Sequence, residues 1–143
     1  MLKINNKLSI LLVFLWMLLI FLMSSFDATD SSNQSNFIVN IISNILNIEN
    51  ARLLSLIIRK LAHFTEYLIL GFLTINMLNK NDISRKYLIS ILICIIYATS
   101  DEIHQIFVPG RAYQIRDILI DSIGSITGVY LYKLINTKIL KNN

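Results

Sequence analysis

Nineteen consecutive residues, Leu8 to Phe26, contain no charged side chain. At about 1.5 Å of rise per residue, a helix over this run crosses about 28 Å, close to the hydrocarbon thickness of a bilayer. In lipid every backbone N–H and C=O needs an internal partner, and an unbroken apolar run satisfies that only as a helix. No other feature of the chain constrains its fold as much. Lys3 and Lys7 precede the run as they would in a secretory signal. However, the stretch is longer than a usual signal core, and Met23-Ser24-Ser25-Phe26 makes a poor cleavage site. A retained membrane helix over residues 8–26 is expected.

Three more stretches read as spans, at about residues 55–78, 87–108 and 117–136. Between the last two, Pro109-Gly110 supplies the break. Apolar residues make up 55% of the 143 and charged residues only 15%, with a mean hydropathy of +0.61. A soluble chain of this size would need more surface charge. Phe37, Ile38, Ile41, Ile42, Ile45 and Leu46 recur at helical spacing opposite a face of Asn and Ser, which predicts a short amphipathic helix over Asn36 to Asn47. The fold class is therefore an all-α integral membrane protein, with four transmembrane helices plus a short amphipathic outer helix in a single domain over residues 1–143. The lone Cys94 excludes a disulfide framework and a cysteine zinc site, and is expected in the core or against lipid.

Four spans leave both termini on one side. That side carries eight Lys and Arg residues against the single acid Asp82, a net +7, and the other carries five against eight acids, a net −3. The cation excess predicts that both termini are cytoplasmic. The basic pI near 9.3 then reflects insertion bias, and nucleic acid is excluded as a partner.

The remaining charges form stripes. At about 100° per residue, Arg59, His63 and Glu66 fall within an arc of about 60° on the second span, flanked by Lys60 and Tyr67. Asp101, Glu102, His104 and Gln105 share one side of the third. Asp117, Asp121, Gly124 and Gly128 share a face of the fourth. A charge facing lipid costs roughly 2.5–3.5 kcal/mol at a helix centre. Stripes that face one another instead form one ionic pocket, open to the outside by the predicted topology. Gly124 and Gly128, a small-xxx-small pair, are expected to bring a neighbouring helix close below it. Trp16, in mid-span, reads as packing, and His104, at the edge of its arc, as a hydrogen-bonding group.

Lys60-Leu-Ala-His63-Phe-Thr-Glu66-Tyr67, then Asp101-Glu102-Ile-His104-Gln105-Ile-Phe107-Val-Pro109-Gly110-Arg111 and Arg116-Asp117, resemble the VanZ family over roughly Leu8 to Ile135. Ser24-Ser25 and Gln34-Ser35 resemble that family's first outer loop. One departure is Asp121, where the family usually has Asn. The resemblance implies a small bacterial integral membrane protein of the cell envelope, in a family linked to low-level teicoplanin resistance.

In that pocket His63, Glu66, Asp101, Glu102, Asp117 and Asp121 are the candidate acid–base groups. Arg59, Lys60, Tyr67, Gln105, Arg111 and Arg116 are the candidate ligand-binding groups, the cations suited to phosphate. The expected partner is a membrane lipid or lipid-linked cell-wall precursor at the outer leaflet, bound or modified there. A non-catalytic binding or shielding protein and a purely structural polar bundle are the alternatives. An ion pathway fits less well, because the inner halves of the helices are apolar. No cofactor is expected. The acids could ligate Mg²⁺, Ca²⁺ or Mn²⁺, but the four adjacent cations favour ion pairing.

Overall fold

The computed structural model describes residues 5–27, 36, 39–43, 45, 50–79 and 83–141. Four helices account for nearly all of them: α1 (Asn6–Ser24), α2 (Ala51–Asn79), α3 (Lys86–Gln105) and α4 (Ile115–Lys141). There is no strand among the described residues. All four are long and apolar enough to cross a membrane. Residues 39–43 are also helical, with Val39 buried and Ile41 exposed. The rest of the predicted amphipathic helix over Asn36 to Asn47 lies largely outside the described residues.

The helix ends differ from the sequence expectation by a few residues. Asn5 caps α1 two residues early, its side chain accepting from the Lys7 backbone N–H at 3.3 Å. At the far end of α3 the helix stops at Gln105 instead of Val108. Tight i→i−3 bonds from Ile106, Phe107 and Val108 wind the chain into turns ahead of Pro109 and Gly110. Gly110 takes a left-handed φ of 75°, which a side chain would resist. The reversal brings α4 in at Ile115, two residues before the predicted start.

α1 and α3 run in one direction, and α2 and α4 in the other. Thus Met17 meets Tyr97 while Ser24 meets Asp101, and Lys60 meets Asp117 while Asn79 meets Tyr132. The parallel pair α2 and α4 packs most intimately, as the glycine pair predicted. A Cβ at Gly124 would strike the Phe64 carbonyl oxygen, and one at Gly128 the Leu68 carbonyl oxygen. Gly71 of α2 returns the arrangement against the Ser125 backbone. Lipid tails are as apolar as leucine, so cohesion here rests on close packing and hydrogen bonds more than on the hydrophobic effect.

Val13, Ile20, Tyr67, Leu70, Cys94 and Ala98 form one buried cluster, with Trp16 and Tyr97 packed against it. Ile75, Val129 and Tyr132 form a second towards the other end. Cys94 is therefore core, and Trp16 does pack, while its Nε1 also donates to the Glu66 carbonyl at 2.9 Å. The outer faces are apolar: Leu8, Leu11, Phe14, Leu15, Leu18 and Leu22 of α1 are all exposed. Such a surface suits hydrocarbon and would aggregate in water.

Candidate ionic site at one end of the bundle

The three polar stripes meet. They occupy the N-terminal halves of α2 and α4 and the C-terminal end of α3, which the helix directions bring to the same end. Asp101, Glu102, Gln105, Asp117 and Asp121 are buried, as is Tyr67, and His63 is nearly so. Glu66, Arg59, Lys60 and Arg111 are half-buried at the margin. An acidic interior is thus rimmed by cations.

Several contacts define the site. Lys60 Nζ pairs with Asp117 Oδ1 across α2 and α4, and Asp117 also lies in the first turn of α4, where the helix dipole favours a negative charge. His63 Nδ1 stands 3.6 Å from Asp121 Oδ1, one turn further along the same two helices. Asp101 Oδ1 accepts from Ser24 Oγ at 2.6 Å and its Oδ2 from Gln105 Nε2 at 3.4 Å. Glu102 Oε2 accepts the Gln114 backbone N–H at 2.8 Å, which anchors the α3–α4 turn. Arg111 sits in that turn, within electrostatic reach of Asp101, Glu102, Glu66 and Arg59. Burial, then Arg59, pulls its guanidinium pKa below the usual value, against the opposing pull of the three acids.

The balance of pairing differs from the expectation that cations neutralise the acids. Asp117 has its lysine, but Asp101 and Glu102 take hydrogen bonds from uncharged groups instead. The reason is geometric: the cations stay at the rim, where long side chains reach water, while the shorter acids point inwards. Neither oxygen of Asp121 has a hydrogen-bond partner, nor do Glu102 Oε1, His63 Nδ1 or the Tyr67 hydroxyl. Arg116, in the first turn of α4, is exposed. Among the described residues, no three His, Cys, Asp or Glu side chains form a group able to hold a metal ion.

Beside Lys60 an apolar groove of about 350 Å³ opens between α2 and α4. Leu56, Ile57, Leu61, Phe64 and Ile120 line it.

Sequence reasoning passed over Ser24, Ser25, Trp16 and Gln114 as site residues. Ser24 and Ser25 end α1 at the depth of the ionic site, where Ser25 Oγ lies 3.1 Å from His104 Nε2 and Phe21 stacks on the imidazole. The signal was present in their position at the end of the uncharged run. His104 does act as a hydrogen-bonding group at the edge of the site, as expected.

A bundle of four apolar helices with a charged site at one end defines a multi-pass membrane protein. The VanZ/LLP1 family model matches residues 9–136, and the chain belongs to that family. No curated protein matches, and no solved structure does.

Proposed function

We propose that the protein is a cell-envelope component of the VanZ type. Its ionic site binds or modifies a membrane lipid or lipid-linked cell-wall precursor, and so alters susceptibility to teicoplanin. The observation that carries this reading is the convergence of Lys60–Asp117, His63–Asp121, Asp101, Glu102 and Arg111 at one end of a bundle whose other half is mainly apolar. Groups that costly to bury in a membrane are retained for a ligand, and the rim cations suit phosphate. With both termini cytoplasmic, as the Lys and Arg asymmetry implies, the site sits at headgroup depth in the outer leaflet.

Two roles share the site. As a reaction centre, Glu66 at the margin or the buried His63 would exchange a proton with the bound headgroup. As a holding site, the acids would serve affinity alone, a role favoured by the commitment of Asp101 and Glu102 to Ser24 and the α3–α4 turn.

The test is growth inhibition by teicoplanin and vancomycin in a susceptible Gram-positive host. The host carries empty vector, wild type or Glu66→Gln, with membrane levels matched. Protection by wild type that Glu66→Gln abolishes supports a reactive site. Equal protection by both favours the holding role. No protection by wild type removes the drug phenotype from this member.

A further inference from the structure

The site has an uneven charge inventory. Among its buried and half-buried groups are five acids, Glu66, Asp101, Glu102, Asp117 and Asp121, against the three cations Arg59, Lys60 and Arg111, with His63 beside Asp121 as a fourth group able to carry positive charge. Surplus negative charge removed from water is costly unless a partner compensates it. The surplus is also localised. Asp117 is paired and Asp101 takes two hydrogen bonds, whereas Asp121, with 0% of its surface exposed, has only His63 Nδ1 at 3.6 Å from its Oδ1 and no donor at hydrogen-bond distance from either oxygen. Glu102, also at 0%, has one unpartnered oxygen. Tyr67, fully buried, adds an unpartnered hydroxyl within electrostatic reach of Asp101, Asp121 and Glu66. Buried polar atoms in folded proteins almost always have partners, so these mark a place where a donor belongs.

The donor has a definable chemistry. Carboxylate oxygens accept only, so their partner must carry N–H or O–H groups, and a positive charge meets the surplus. A primary ammonium offers three donors and one positive charge, while a quaternary ammonium offers no donor at all. The rim offers the opposite chemistry, since Lys60 keeps donors beyond the one it gives Asp117, Arg59 is its chain neighbour, and Arg111 lies within electrostatic reach of Arg59. An apolar groove opens next to Lys60.

We propose that the site recognises a zwitterionic headgroup, with its phosphate on Lys60, Arg59 and Arg111 and its primary ammonium between Asp121 and Glu102. One acyl chain lies in the groove of Leu56, Ile57, Leu61, Phe64 and Ile120. This assignment rests on the lipid-binding reading above and specifies the ligand as an amine-bearing phospholipid.

The test titrates the full-length protein in neutral detergent with four probes, read by calorimetry. These are short-chain phosphatidylethanolamine, phosphatidylglycerol and phosphatidylcholine, and soluble phosphoethanolamine. Phosphatidylethanolamine is expected to bind about tenfold or more tighter than the other two lipids. Asp121→Asn, nearly isosteric, should remove that preference and leave phosphatidylglycerol binding unchanged. Glu102→Gln serves as a second variant should Asp121→Asn fail to elute as a single species. Weaker binding of phosphoethanolamine than of the lipid assigns the tail to the groove, and equal binding makes the headgroup alone the ligand. Phosphatidylglycerol or phosphatidylcholine binding as tightly as phosphatidylethanolamine overturns the ammonium assignment and leaves lipid binding intact. If none of the four probes binds, both readings fall.

Discussion

Ser24 and Asp101, 77 residues apart, join the end of α1 to the interior of the ionic site through a 2.6 Å hydrogen bond. Both are buried, so the bond fixes where α1 ends relative to α3 and supplies Asp101 with its shortest donor. Ser24→Ala should leave that oxygen unsatisfied and destabilise the bundle by about 1–3 kcal/mol. Thermal unfolding in detergent reads this directly. A melting temperature unchanged from wild type would show that Asp101 finds another donor.

Lys60 and Asp117 are unequally exposed, at 31% and 5% of their side-chain surface. Removing the lysine therefore strands a buried carboxylate, while removing the acid leaves a cation that can reach water. Lys60→Met should cost about 1–3 kcal/mol, discounted from the value for a fully buried pair, and more than Asp117→Asn. The double variant should recover part of the loss. A double-mutant cycle gives the coupling, and strictly additive losses would mean the pair contributes nothing.

Asp121 is held by one long contact, His63 Nδ1 at 3.6 Å from its Oδ1, with no donor at hydrogen-bond distance. In ligand-free protein Asp121→Asn should raise stability by about 1–2 kcal/mol, since a buried charge with only one long contact is removed without a change of shape. A fall in melting temperature would mean that the His63 interaction outweighs the burial cost.

Gly128 meets the Leu68 carbonyl where a methyl group has no room, and backbone cannot swing aside as a side chain does. Gly128→Ala should lower stability by about 1–3 kcal/mol, and Gly128→Leu should prevent accumulation of folded protein. Membrane levels and size-exclusion profiles of the two variants provide the check. A normal profile for the leucine variant would contradict the close approach of α2 and α4.

Topology can be tested against a clean background, because the single natural cysteine, Cys94, is buried. In intact cells a membrane-impermeant maleimide should label Phe107→Cys, at the ionic end, and leave Lys133→Cys, at the other end, unlabelled until the cells are opened. The reverse pattern would invert the orientation and move the site to the cytoplasmic leaflet.

The fold was legible because its main signals are charge and periodicity. The uncharged run from Leu8 to Phe26, the stripe of Arg59, His63 and Glu66, and the spacing of Gly124 and Gly128 each state a physical requirement without tertiary knowledge. The close α2–α4 contact was legible in kind but only half in detail. A lone Gly71 carries no repeat, and its role appears only once Ser125 is placed against it. The site was less legible for a related reason. Ser24, Trp16 and the Gln114 backbone donate hydrogen bonds without carrying charge, so they leave no trace in a stripe. Arg116 shows the converse. It has the right residue type beside the right acid, yet it sits on the exposed side of the first turn of α4.

The parallel seam of α2 and α4 has a bearing on how the chain is made. α2 leaves the ribosome before α4, so Lys60 and His63 are made ahead of Asp117 and Asp121. Until α4 arrives, the carbonyls of Phe64 and Leu68 have no glycine face to nest against. The seam therefore closes only once α4 is made, and a nascent chain truncated before Ile115 would leave Lys60 without Asp117 and His63 without Asp121.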